Sequence, residues 1–248
     1  LALTMQKLIV ILGPTASGKS ELSIKLALRL CSGQAKKRLG TKGAEIVSTD
    51  SRQVYKGLDI GTAKNTEKEM QGVPHHLLSI ISPKSRYTVV QYQKTARKAI
   101  QDIQKRGKLP MLVGGSPQYV YAVIEGWIIP EVPPNLKLRK ELERLSIEKL
   151  YKKLKRLDPQ RAKTIEQKNK RRLIRALEIV LSTGKPVLKL KKKPLAYPIL
   201  FLGVSRSSEE LKGRIKKRFL SMLKQGFLNE IEELRKNGLS WKRIESFG

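Results

Sequence analysis

Leu8-Ile9-Val10-Ile11-Leu12 is a continuous apolar run with the length and character of a parallel strand buried on both faces. Apolar positions then fall at Leu22, Ile24, Leu26, Ala27 and Leu30, with Glu21, Lys25 and Arg29 turned outward, which predicts a helix over Lys19 to Leu30. Glu45-Ile46-Val47-Ser48-Thr49 repeats the strand pattern. A helical period returns from Thr88 to Arg106, where Val89, Tyr92, Ala96, Ala99, Ile100 and Ile103 share a face and Gly107 stops the run. Leu109 to Val113 is a further buried strand, followed by Gly114-Gly115-Ser116 and a helix from about Tyr119 to Glu125. Strands alternating with helices predict an α/β fold built on a parallel sheet.

Pro130, Pro133 and Pro134 interrupt that alternation. From Leu136 to Gly184 the pattern is helical and heavily basic, and Lys185 to Pro194 reads as a mobile basic loop. Pro198 to Val204 is apolar enough to rejoin the sheet. Helices over Ser208 to Gln225 and Leu228 to Lys236 follow, the first with Leu211, Ile215 and Leu223 as its expected buried side. The organisation expected is a core of residues 1–129 and 198–248 interrupted by a basic helical insertion at 130–197.

Charge sharpens this division. The chain carries 52 Lys and Arg against 21 Asp and Glu, a formal net charge of +31, far beyond what solubility requires and pointing to a polyanionic partner. Residues 1–130 hold 20 basic and 8 acidic side chains and residues 131–248 hold 32 and 13, so the later part is the stronger electrostatic footprint. A separate basic loop, with Lys36, Lys37 and Arg38, is expected between Ser32 and Gly43. Cys31, the single cysteine, is expected as a small buried hydrophobe, and its lack of a partner suits a reducing cytosol. Only Lys7 precedes the first apolar run, so no signal peptide is expected, and Met5 is a candidate natural start. No run approaches a membrane span. A cytoplasmic monomer is the expectation.

Gly13-Pro14-Thr15-Ala16-Ser17-Gly18-Lys19-Ser20 stands at the first strand-to-helix junction, the context that makes it a phosphate-binding P-loop and the sheet P-loop NTPase-like. Its glycines let backbone N–H groups turn toward phosphate oxygens, Lys19 adds a point charge, and Ser20 offers a hydroxyl to a magnesium ion carried by the same ligand. Asp50 follows the second strand, where ligands of open α/β sheets bind; a ligand role and a turn cap are equally compatible with that position. His75 and His76, adjacent in extended chain, face opposite ways and are read as structural. Arg171 and Arg175 share a helix side, as do Arg214 and Arg218, and two guanidinium forks on one face can clamp a diphosphate.

Several stretches together resemble the tRNA dimethylallyltransferases, also called tRNA isopentenyltransferases. They are the P-loop, Asp50-Ser51 with Val54-Tyr55, Asp59-Ile60-Gly61-Thr62-Ala63-Lys64, Pro74-His75-His76-Leu77, Gly114-Gly115-Ser116 and Arg175-Ala176-Leu177-Glu178, in the family's order over nearly the whole chain. The resemblance implies transfer of a prenyl group from dimethylallyl diphosphate to N6 of the adenosine beside the anticodon, at position 37 of tRNA. The P-loop then holds a leaving group. Lys19, Ser20 through Mg2+, and Arg214 or Arg218 neutralise its charge, while Asp50 accepts from the adenine amine and becomes an effective base as nitrogen turns positive. The base has to be swung out of its stack to be reached. By the same resemblance Asp50, Ser51, Arg52, Gln53, Ser116, Arg139, Arg171, Arg172, Leu173, Ile174 and Arg175 contact the anticodon stem-loop. Members of the family continue the double glycine with Thr, where this chain has Ser116-Pro117-Gln118, and continue beyond the position of Gly248, so a fragment is expected. An adenylate isopentenyltransferase acting on free nucleotides, a P-loop kinase and a non-enzymatic RNA-binding module remain alternatives.

Overall fold

In a computed structural model, which describes residues 7–31, 40–130 and 132–247, four apolar runs and the His75-His76 pair become five strands of one sheet. They are β1 (Leu8–Leu12), β2 (Ala44–Ser48), β3 (His75–His76), β4 (Leu109–Gly114) and, late in the chain, β7 (Ile199–Gly203). Their order is β3-β2-β4-β1-β7, with every neighbouring pair parallel. The expected loop residues Lys36, Lys37 and Arg38 lie outside the described residues.

Both faces of the central strands are covered, as their unbroken apolar character requires. On one face, α1 (Lys19–Leu30) lays Ile24 and Ala27 against Ile11, Ile46, Met111 and Val113. On the other, α3 (Val89–Lys105) and α4 (Pro117–Ile124) bury Tyr92, Ala96, Ile100, Val120 and Val123 against Val10, Val47 and Leu112. A reciprocal capping box between Thr88 and Gln91 starts α3, and a second, Thr66 with Glu69, starts the one-turn α2 (Glu67–Met70). Helix α4 begins two residues before the position expected from hydrophobic period. Pro117 occupies its first turn, where the missing N–H costs nothing.

Glu45 is the one charged residue inside β2, and it is 2% exposed. Arg106 donates to it at 2.5 and 2.7 Å, Lys108 at 2.7 Å, and His76 Nε2 lies 2.7 Å away. The Arg106 guanidinium in particular holds this carboxyl well below the usual carboxylate range. His75 points elsewhere, with Nδ1 2.8 Å from the carbonyl of Val73. Both histidines therefore serve the sheet edge. Cys31, expected inside, is exposed at the C-cap of α1, where the helix turns its last residue away from the sheet.

The chain divides into two compact units, Leu1–Trp127 with Lys193–Gly248, and Ile128–Lys192. Short strands β5 (Trp127–Ile128) and β6 (Lys191–Lys192) stand at the two crossings. Residues 193–197, expected with the insertion, lie with the first unit because Leu195 and Tyr197 pack on its main core and the Leu195 N–H donates to the carbonyl of Ile124. The second unit comprises α5 (Leu136–Glu143), α6 (Ile147–Leu157), α7 (Pro159–Thr164) and α8 (Lys170–Thr183) around Leu142, Leu150, Leu154, Leu173 and Leu177. Asn135, Ser146, Asp158 and Asn169 cap the four helices with side-chain oxygens, which is why one basic stretch resolves into four short helices.

After β7 the first unit is completed by α9 (Ser208–Lys224), α10 (Phe227–Lys236) and α11 (Trp241–Glu245). The expected buried side of α9 is not buried. No residue of this helix is enclosed, and Ile215, Phe219 and Leu220 are each about half exposed (46%, 50% and 49%), because it follows the edge strand β7. Among the described residues no helix is long and apolar enough to cross a membrane.

Candidate active site

The loops after β1, β2 and β4 meet at the carboxyl ends of adjacent strands, the position where an open parallel sheet presents its ligand crevice. In the first loop Ala16 and Gly18 adopt left-handed backbone, with φ of 62° and 101°, and Gly18 is the N-cap of α1. This curl brings the unpaired N–H groups of the helix start to the crevice. Three cations secure the loop from its carbonyl side. Lys19 Nζ donates to the carbonyl of Pro14 at 2.5 Å, Arg214 Nε to that of Ala16 at 2.7 Å and Arg206 Nε to that of Ser17 at 3.2 Å. A Cβ placed on Gly18 would stand 3.8 Å from Arg214 Nη2 and 3.9 Å from Arg206 Nη2, so both forks flank the loop. Thr15 and Ser20 are exposed there.

Burial lowers the pKa of the Lys19 ammonium and the Arg218 guanidinium lowers it further, with Asp50 opposing both. Burial likewise lowers that of Arg218, again against Asp50. These three charges thus share one electrostatic neighbourhood, two cations against one carboxylate. Among the described residues Arg218 Nη2 donates to the carbonyl of Thr62, at 3.4 Å. Arg214 and Arg218, grouped by helical spacing, therefore stand on the P-loop and on the 59–64 loop respectively.

Asp50 fills the turn-cap role that its position allowed. Its Oδ1 accepts from the N–H groups of Arg52 and Gln53 at 2.7 and 3.3 Å, an Asx turn, while Oδ2 takes no hydrogen bond among the described residues. Of the other expected contact residues, Gln53 is committed inward: its Nε2 donates to the carbonyls of Thr62 and Ala63, both at 3.2 Å, and its Oε1 accepts from Ser48 Oγ. Ser51 is half-buried, the Arg52 guanidinium carbon lies 5.9 Å from the Phe247 ring centroid, and Ser116 is half-buried as the N-cap of α4.

Of the expected contacts in the second unit, Leu173 and Ile174 need correction. Leu173 and Ile174 are core residues of α8, 0% and 7% exposed, because the helical period that exposes Arg171 and Arg172 turns them inward. Arg139 and Arg175 are occupied by the fully buried Glu178. Arg139 donates to it through Nε and Nη2 at 2.8 and 2.7 Å, Arg175 through Nη1 at 2.5 Å, and the Asn135 N–H at 2.7 Å. Arg171 and Arg172 are exposed, the latter 3.1 Å from Glu166.

Burial alone would raise the Glu178 pKa, but the two guanidiniums and the N–H hold it down to about 2 from the ordinary 4.5. A carboxyl depressed in the folded state contributes stability that is complete above the unfolded value and is lost as pH falls from about 4.5 through about 2. Acid unfolding followed by circular dichroism should show this loss. Glu178→Gln should remove that part of the pH dependence and cost about 2–3 kcal/mol at neutral pH, discounted for the partial exposure of Arg139.

Sequence reasoning missed Arg206, Glu178 and Glu230. Arg206 could have been found, since it lies just past the carboxyl end of a strand beside the P-loop strand. The partners of Glu230, and Arg139 and Asn135 of those of Glu178, are remote in sequence and carry no local signal.

A family model described as IPP transferase matches residues 53–248. The chain is 44% identical over 237 residues to a tRNA dimethylallyltransferase of Anoxybacillus flavithermus, covering 94% of this chain and 72% of that one. It is 42% identical over 240 residues to one from Herpetosiphon aurantiacus, covering 95% and 72%. The structure of the tRNA isopentenylpyrophosphate transferase from Bacillus halodurans aligns with a TM-score of 0.62 and 38% identity over 95% of this chain and 72% of its own. That of a eukaryotic dimethylallyltransferase acting on tRNA aligns with a TM-score of 0.74 and 30% identity over 97% of this chain and 59% of its own. With its sheet, its P-loop and most of its length accounted for in this way, the chain belongs to the IPP transferase family, that of the tRNA dimethylallyltransferases.

Proposed function

We propose that this chain transfers the dimethylallyl group of dimethylallyl diphosphate to N6 of the adenosine next to the anticodon in tRNA. The N6 lone pair forms a bond to C1 of the allyl group as the C1–O bond breaks, and that bond's electron pair leaves with diphosphate. The N6 proton passes to Oδ2 of Asp50. The observation carrying this reading is the pairing of a cation cluster, Lys19, Arg214, Arg218 and Arg206, the last also ion-paired with Glu210 at 2.7 Å, with a carboxylate, Asp50, whose outer oxygen takes no hydrogen bond among the described residues. The cations match charge that grows on the leaving group, and the carboxylate matches charge that grows on nitrogen.

The donor set also suits Mg2+. Ser20 Oγ is an exposed hard oxygen donor in the first turn of α1, and no cluster of three or more His, Cys, Asp or Glu forms a separate metal cage among the described residues. Ser20 would hold the ion together with diphosphate oxygens. When bound, it supplies further neutralisation of the leaving group.

The second unit supplies electrostatic affinity for RNA phosphates. Residues 128–192 carry 20 basic and 7 acidic side chains, a net +13 in a quarter of the chain. RNA binding on this basis falls steeply and log-linearly with salt.

The test is incubation with labelled dimethylallyl diphosphate and, in separate arms, an adenosine-bearing anticodon stem-loop, AMP, and ATP with a phosphoryl acceptor. Label is expected on the stem-loop alone. Prenylation of AMP in preference to it, or phosphoryl transfer with indifference to dimethylallyl diphosphate, overturns the proposal. Arg206→Ala should weaken dimethylallyl diphosphate binding by about 5- to 20-fold, as loss of one charge-assisted contact, leaving RNA affinity unchanged in a filter-binding assay.

A further inference from the structure

We infer that Glu230 is a positioning residue: its carboxylate holds the 59–64 loop in the one setting that aims Arg218 and Asp50 at the reaction. The inference rests on reading the P-loop as a diphosphate site. Glu230 lies on α10, and its Oε2 accepts from the N–H groups of Asp59 and Ile60, both at 2.7 Å, while Oε1 accepts from that of Gly61 at 2.9 Å. Three successive N–H groups converging on one anion form a backbone nest, here filled by the protein's own side chain. The fit is close. A Cβ on residue 61 would come within 2.5 Å of Phe227 Cε2 and 3.2 Å of Glu230 Oε1, so α10 can approach only a glycine.

The other end of the loop is equally fixed. Lys64 Nζ, 7% exposed, donates to the carbonyl of Tyr55 at 2.9 Å, to Ser79 Oγ at 2.7 Å and to Asp59 Oδ1. Between these anchors the carbonyl of Thr62 is the hydrogen-bond acceptor for both Arg218 Nη2 and Gln53 Nε2. Gln53 Oε1 in turn accepts from Ser48 Oγ, which accepts from the Asp50 N–H. One carbonyl thus sets a cation of the leaving-group side and, through two further side chains, the turn carrying the carboxylate of the acceptor side. Displacing the loop displaces both. Glu230 itself hydrogen-bonds to none of Lys19, Arg218 or Asp50, so it acts through the loop.

The test is a double-mutant cycle read by isothermal titration with inorganic pyrophosphate and Mg2+, in the full chain, with hydrogen–deuterium exchange at amides 59–61. Glu230→Gln removes the charge and turns an N–H2 toward the nest. It should accelerate exchange of those amides and weaken pyrophosphate binding about tenfold, and Glu230→Asp, which keeps the carboxylate at a shorter reach, should weaken it only about threefold. In an Arg218→Ala background, Glu230→Gln should add less than about twofold, because the group it positions is gone. Additive losses, or wild-type affinity in Glu230→Gln despite faster exchange at 59–61, overturn the role. If Glu230→Gln fails to fold, the Glu230→Asp and Arg218→Ala cycle decides by the same criterion. A wild-type chain that binds pyrophosphate but transfers no prenyl group removes the reaction proposed above and leaves the cycle decisive; one that binds no pyrophosphate removes both.

Discussion

Asp50→Asn should slow prenyl transfer by about 10²- to 10⁴-fold, the range of a lost general base, while leaving diphosphate binding intact. The separation follows from the two carboxylate oxygens. Oδ1 caps the turn through the N–H groups of Arg52 and Gln53, and an asparagine carbonyl at the same place accepts both bonds, so the loop keeps its shape. The other position becomes an N–H2, a donor facing the adenine amine where an acceptor is needed. Asp50 also lies in the electrostatic field of Lys19 and Arg218. Removing its charge lessens repulsion of an incoming diphosphate, so affinity for pyrophosphate should hold or tighten slightly. Single-turnover transfer to an anticodon stem-loop and titration with pyrophosphate measure the two quantities separately. Turnover within threefold of wild type would take Asp50 out of the mechanism.

What could be read before the structure was known follows the range of the interactions involved. Leu8 to Leu12, the glycine-framed loop and the α1 period are local statements about backbone and burial, and each reappears with almost the same bounds. The 88–106 stretch announces its own start through the Thr88 and Gln91 capping box. Several residues whose surroundings the sequence did not disclose depend on partners that spacing alone does not pair with them, some of them far along the chain. Arg139 and Arg175 look like ligands of RNA phosphate until Glu178 is found buried between them. Leu211, Ile215 and Leu223 form an apolar stripe that a helical period can detect, but whether anything covers it depends on what lies beyond β7. Gln53 is polar and follows a candidate catalytic carboxylate, yet its amide is spent on Thr62 and Ala63. Sequence therefore located the P-loop and the carboxylate, and left open which neighbouring polar groups hold them and which face the ligand.

Lys19→Ala, in contrast to Asp50→Asn, should damage both binding and turnover. The ammonium is half-buried, and its pKa is lowered first by burial and then by Arg218, so it is a partly desolvated cation beside a second one. It now satisfies itself on the carbonyl of Pro14 at 2.5 Å, a neutral acceptor that a diphosphate oxygen outcompetes through charge. A hydrogen bond to a charged group contributes about 1.5–3 kcal/mol, which corresponds to roughly a 10- to 150-fold loss of pyrophosphate affinity. Charge on the diphosphate rises as the C1–O bond breaks, so the same contact strengthens on the way to the transition state and turnover at saturating donor should fall by a further factor of about 10². Lys19→Arg keeps the charge but carries a planar fork too wide for the curl at Ala16 and Gly18, and should recover affinity more than rate. Equal turnover of wild type and Lys19→Ala at saturating dimethylallyl diphosphate would mean that the P-loop lysine only gathers the donor, and that Arg206, Arg214 and Arg218 alone meet the charge of the departing group.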